Sequence, residues 1–170
     1  IDYGQIIVED LTVAKPSAGL IAAAEAADEV WAHNAEFDRT VLETTSWWPL
    51  VPLEKWRCTA ALARMHGLPG GLEKLSTIFM LGVDEAKDKR GYELIQIFCV
   101  PQKDGTYRDR HSHPKEWKEF LAYGDQDVVA MRAIHKACPK WNATPRMWKA
   151  WHLAQKMNAR GVAMDLKLAQ

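Results

Sequence analysis

The sequence predicts an α/β domain rich in helix. Two observations carry that expectation: strand-like and helix-like runs alternate β-α-β-α as far as Thr45, and beyond about Ala60 the apolar residues recur almost wholly at helical spacing. With 170 residues the chain fits one domain, long enough to bury a single core.

Gln5 to Val8 is rich in Ile and Val and reads as a strand, followed by a polar stretch with Pro16-Ser17 and then an Ala/Leu/Ile-rich helical segment to Ala27. Glu29 to His33 is a second strand-like run. It feeds a helix over Asn34 to Thr45, where Phe37, Val41 and Leu42 mark the helical period. Pro49 and Pro52 punctuate a loop before a third strand-like run, Trp56 to Thr59, and a helix from Ala60 that stops at Gly67. After the turn Leu68-Pro69-Gly70-Gly71, the residues Leu72, Leu75, Ile78 and Phe79 predict one buried helical face ending near Gly82. A further helix from about Ala86 to Cys99 should bury Leu94, Ile95 and Phe98.

Pro101 to His113 reads as a mobile basic loop. Pro114 suits the first turn of a long helix running to about Lys136, and Cys138-Pro139 ends it. Thr144 as N-cap and Pro145 in the first helical position then start a tryptophan-rich helix. The eight tryptophans, among them Trp47, Trp48, Trp141, Trp148 and Trp151, are expected to serve the core and a contact with a neighbouring domain.

Lys plus Arg and Asp plus Glu are equal at 22 each, so no global field draws in nucleic acid, and any contact must come from local patches. Cys58, Cys99 and Cys138 show no metal or disulfide spacing and fit buried thiols in a reducing, intracellular compartment. The histidines lack zinc-ligand spacing. No apolar run is long enough to span a bilayer and no signal peptide is visible, so no membrane partner is expected. The chain opens at Ile1 in what reads as a strand in progress, as a fragment of a longer protein would.

Two constellations could carry chemistry. In the first, Asn34 and Asp38 stand where a strand hands over to a helix, the place where α/β folds collect functional groups. Asn34 could equally be a helix cap, and Asp38 an acid favoured by the helix dipole. In the second, Tyr123 and Asp127 lie four residues apart and share a helix face, whereas Asp125 points elsewhere. A phenol and a carboxylate so placed can hold a metal and the water it activates; a surface acid is the plainer reading of either aspartate alone.

Asn-x-x-Phe-Asp at Asn34 to Asp38 resembles the second motif of the DEDD exonuclease superfamily, and Tyr-x-x-x-Asp at Tyr123 to Asp127 resembles the third motif of its tyrosine-bearing branch. Trp56-Arg57-Cys58-Thr59, Gly67-Leu68-Pro69-Gly70 and Met157-Asn158-Ala159-Arg160-Gly161-Val162 are similar to the exonuclease domain of phage-type family A DNA polymerases. The resemblance implies a ribonuclease H-like fold lacking its first strands. Residues 1–143 would then be the exonuclease domain and 144–170 a helix leading toward a polymerase domain. The first motif of that superfamily, Asp-x-Glu, is absent from the chain. Aligning Gln5 to Thr12 with the third strand of the family would put the missing acids before Ile1.

The activity so implied is proofreading hydrolysis of the 3′ terminal phosphodiester of single-stranded or frayed DNA, with Mg²⁺ or Mn²⁺ in a two-metal site. Asp38 and Asp127 would be metal ligands, and Tyr123 would orient the attacking water. Asn34, Phe37, Arg108 and Arg110 are candidate contacts to the strand. A polymerase domain in the same or a neighbouring chain is the expected partner, in the cytoplasm of a phage-infected or bacterial cell. Two rival readings stand beside this one: a ribonuclease D-like RNA exonuclease, and a nuclease fold retained as a non-catalytic strand-binding module.

Overall fold

The computed structural model describes residues 4–49, 51–81 and 89–164. Its elements are α1 (Ala18–Ala26), β1 (Val30–Ala32), α2 (Ala35–Glu43), a 3-10 turn (Leu53–Lys55), β2 (Trp56–Cys58), α3 (Thr59–Arg64), α4 (Leu72–Ile78), α5 (Lys89–Phe98), α6 (Pro114–Ala137) and α7 (Pro145–Arg160). The fold is therefore a helix-rich α/β arrangement with a small parallel sheet.

β1 and β2 pair in parallel, with Val30 opposite Trp56, Trp31 opposite Arg57 and Ala32 opposite Cys58. Parallel neighbours cannot be joined by a tight hairpin, and α2 supplies the crossover. Each strand passes into its helix within a few residues. β1 does so through Asn34, whose backbone is left-handed (φ 60°, ψ 45°), a conformation Asn tolerates better than most residues. β2 does so through Cys58, whose Sγ accepts from the Ala61 N–H at 3.4 Å.

The core gathers around α3, where Thr59, Ala60, Ala61, Leu62 and Ala63 are all buried. Small alanine side chains let α6 lie close, and its Ala130 and Ile134 complete the contact together with Leu72 and Leu75 of α4. Gly67 ends α3 with a positive φ of 73°, and the Leu68 N–H closes the turn on the Ala63 carbonyl at 3.1 Å. A second cluster forms where Phe98 meets Trp117 and Phe120, with ring centroids 4.9 and 5.3 Å away. α7 starts as its sequence predicts, on the Thr144 cap with Pro145 in the first turn. It buries Trp148, His152 and Gln155, positions three to four apart on one face.

Three expectations are corrected. Gln5 to Val8 forms no strand: Ile7 is 70% exposed, and among the described residues β1 pairs with β2 alone, so this run has no ladder to join. Instead the segment is clipped to α6, by the Trp117 indole donating to Asp10 (2.8 Å) and the Arg132 guanidinium donating to the Gly4 carbonyl (2.8 Å). In α4 the buried face is Leu72, Leu75 and Ser76. Ile78 is exposed, and the helix stops there because Met80 turns left-handed (φ 54°) and the Leu81 N–H closes on the Ser76 carbonyl. Gly82 and residues 86–88, to which the sequence extended α4 and α5, lie outside the described residues. Cys99 is exposed, unlike the buried Cys58 and Cys138. Within the basic loop the Gln102 N–H reaches the Thr106 carbonyl at 2.7 Å, and the Asp109 carboxylate accepts from the His111 and Ser112 backbone. No described helix is long and apolar enough to cross a membrane.

Candidate functional site

Asp38 and Asp127 line one cavity of about 660 Å³ at the carboxyl end of β1. Asp38 sits on the first turns of α2 and Asp127 midway along α6, so the strand-to-helix turn at Asn34 and the contact of α6 with β1, where His135 meets Trp31 at 4.2 Å between ring centroids, bring them together. His33 and Asn34 lie on the same wall, with Trp31 and Met131 among its apolar neighbours. His33 is held by a 2.8 Å hydrogen bond between its Nδ1 and the Thr59 hydroxyl.

The Asp38 carboxyl is pushed above the usual carboxylate range by burial, opposed by a hydrogen bond from its own backbone N–H. No Lys, Arg or His among the described residues pairs with it. A half-buried carboxylate facing a cavity without a countercharge is an arrangement that a bound cation relieves. Two carboxylates with the oxygen of Asn34 nearby are hard donors of the kind Mg²⁺ or Mn²⁺ accepts. Among the described residues, however, no group of three His, Cys, Asp or Glu stands close enough to hold a metal by itself. The donor set fits such an ion in kind and falls short of it in number.

The other sequence-derived residues divide clearly. Asn34 lines the cavity, and its side chain makes no cap hydrogen bond to α2, so the plain cap reading does not hold. Tyr123 does not line the cavity; its ring packs against Gly91 of α5, where a methyl group would overlap it. Phe37 is 72% exposed and lines a neighbouring cavity of about 420 Å³, which Asn34 shares. Arg108 and Arg110 line neither cavity. Arg108 is exposed, and the Arg110 guanidinium lies on His111 at 3.0 Å.

Sequence reasoning missed His33, and on the second cavity it missed Arg64, Trp151 and Gln155. His33 had a usable signal, its place at the end of β1 next to Asn34. The other three had none, because α3 and α7 meet α2 only through the tertiary fold.

Comparison with known proteins finds a relative 37% identical over 145 residues, a DNA polymerase of Bacillus phage SP02. The match covers 82% of this chain and 22% of the relative, so the chain spans only about a fifth of that polymerase. No family model matches the chain. No solved structure matches it either. The similarity is to a polymerase-associated segment.

Proposed function

We propose that this segment is the nuclease domain of a phage-type DNA polymerase, a tyrosine-bearing DEDD exonuclease of ribonuclease H-like fold that removes 3′ terminal nucleotides from single-stranded or frayed DNA. The observation that carries the reading is the convergence of Asp38 and Asp127 on one cavity. Similarity to a protein named as a DNA polymerase supports the setting. In this reading residues 1–143 form the nuclease, and 144–170 lead toward the polymerase domain.

Bound Mg²⁺ or Mn²⁺ would supply an activated water and charge stabilisation for the departing 3′ oxygen. Asp38 and Asp127 are the side chains that would hold it. A cation held there would favour the ionised form of Asp38, opposing the upward effect of burial on its pKa. Tyr123 stands one helical turn before Asp127 and would align the attacking water once its ring turns from Gly91 toward the cavity. Asn34, on the wall of both cavities, would hydrogen-bond the terminal nucleotide, and the exposed ring of Phe37, on the neighbouring cavity, would stack on the strand beside it. Arg108 and Arg110 would contact the strand farther from the cleaved bond. The donor set needs further acids, and β1, paired on one side only among the described residues, offers an edge on which a strand carrying them would pair.

The test is hydrolysis of a 5′-labelled single-stranded oligonucleotide by the full-length protein. Stepwise loss of 3′ nucleotides is expected with Mg²⁺ or Mn²⁺, abolished by EDTA and reduced at least ~100-fold by Asp38→Ala or Asp127→Ala, the scale on which a single electrostatic group acts in catalysis. Preference for a matched RNA 3′ end over DNA would replace this reading with a ribonuclease D-like one. The lack of a third ligand among the described residues favours one rival, a non-catalytic strand-binding module. That rival is adopted if the full-length protein binds single strands and leaves them intact.

A further inference from the structure

Two seats are open to the ring of Tyr123. The structure shows it in the first, a groove at the buried Gly91 of α5, where any Cβ would overlap the ring. Glycine weakens a helix, and at this place it is what makes room for a phenol. The second seat lies on the other flank of the same residue. Gly124, next along α6, is on the wall of the carboxylate cavity with Asp127, and a Cβ on it meets nothing within 4 Å. Residues 123 and 127 are only about 40° apart around the helix axis, so Tyr123 stands at the rim of that open wall. A long side chain on a helix has two favoured χ1 values, near 180° and near −60°, and exchange between them swings the ring from one flank to the other. The first seat is held firmly. α5 packs on α6, its Phe98 lies against Trp117 and Phe120, and Arg90 next to Gly91 pairs with Glu119, one turn before Tyr123, at 2.7 Å.

We propose that α5 is a latch on Tyr123: Gly91 stores the ring away from Asp127 until a divalent cation and the terminal phosphate of a strand draw it across Gly124 into the cavity, so that the site is assembled only on its substrate. Gly91 is then a positioning residue that acts through Tyr123. The inference rests on the reading of Tyr123 as the group that aligns the attacking water. A phosphate oxygen in the cavity offers the phenol a charge-assisted hydrogen bond, and that preference is all a ligand needs to shift the ring between its seats. Rotamer exchange is faster than turnover, so the rate of cleavage follows the fraction of molecules whose ring is in the cavity. A second seat populated at about 10% leaves room for about a tenfold gain.

The test uses the full-length protein with 3-fluorotyrosine at position 123, whose ¹⁹F resonance in EDTA reports the Gly91 seat. Mg²⁺ with a single-stranded octamer ending in a phosphorothioate linkage should move the resonance to a second position, and Gly91→Ala should move it there with neither present. In single-turnover cleavage of an ordinary octamer at saturating concentration, Gly91→Ala should raise the rate by up to about tenfold and leave affinity for the strand in EDTA unchanged. Tyr123→Phe in the same protein should abolish that gain, which a merely structural effect of Gly91→Ala would not require. Should Gly91→Ala fail to fold, Arg90→Ala loosens α5 from outside the seat and is judged by the same two readouts. Where wild type cleaves, a variant that cleaves no faster overturns the latch, and so does a resonance that ignores both ligand and substitution. A resonance that moves in a protein that never cleaves keeps the two seats and removes the proposed nuclease; cleavage with a fixed resonance does the reverse.

Discussion

Gly91 of α5 lies against the ring of Tyr123 on α6, so close that no side chain fits between them. Gly91→Ala gains about 1 kcal/mol of helix propensity and incurs about 1–3 kcal/mol of overpacking, so a net loss of stability is expected. Gly124→Ala is the control: it is also helical, a Cβ there meets nothing within 4 Å, and about 0.5–1 kcal/mol of gain is expected. Urea midpoints moving in opposite directions for the two variants verify the contact, and a stabilised Gly91→Ala refutes it.

Asp38 carries a burial-raised pKa, so the folded state binds its proton more tightly than the unfolded chain does. Its contribution to stability is complete below the unfolded value of about 4 and is lost as pH rises through the folded value. Asp38→Asn removes that loss. Without divalent ions it should melt with wild type at pH 4 and above it at pH 7.5. Added Mg²⁺ should raise the melting temperature of wild type alone. Melting curves that keep the same order at both pH values would contradict the assignment.

His135 is buried against Trp31, ring centroids 4.2 Å apart, and its pKa is lowered by burial and then by the Lys140 charge. The sign is opposite to that of Asp38. The stability is present above the unfolded value of about 6.5 and is lost as pH falls through the folded one. His135→Phe keeps an aromatic ring there and does not titrate. Between pH 7.5 and 5 its melting temperature should fall less than that of wild type; parallel falls would show that another group titrates.

The indole of Trp117 anchors residue 10 to α6 through the Asp10 carboxylate. Trp117→Phe keeps the ring against Phe98 and removes the donor, at a cost of about 1.5–3 kcal/mol for a hydrogen bond to a charged group. Limited proteolysis should then cut within residues 4–14 while α6 stays protected, and an unchanged cleavage pattern would show that the clip is unimportant.

The local grammar of this chain was legible residue by residue. The hand-over from β1 to α2 at Asn34, the Gly67 turn that closes α3 and the start of α7 at Thr144-Pro145 all depend on groups within about one turn of each other, so the sequence states them outright. The meeting of Asp38 and Asp127 was legible only as two motifs; their shared cavity depends on how α6 packs against β1.

What sequence by itself determined is where backbone direction and helix capping change, and which carboxylates stand at those changes. Tertiary structure decided the rest. Gln5 to Val8 has the residues of a strand and no ladder to join among the described residues, because strand formation needs a partner that composition does not encode. Tyr123 turned toward Gly91, and Gln155 came to line a cavity with Arg64, because side-chain environment is set by which distant helices meet, and close packing allows each side chain only the space its neighbours leave.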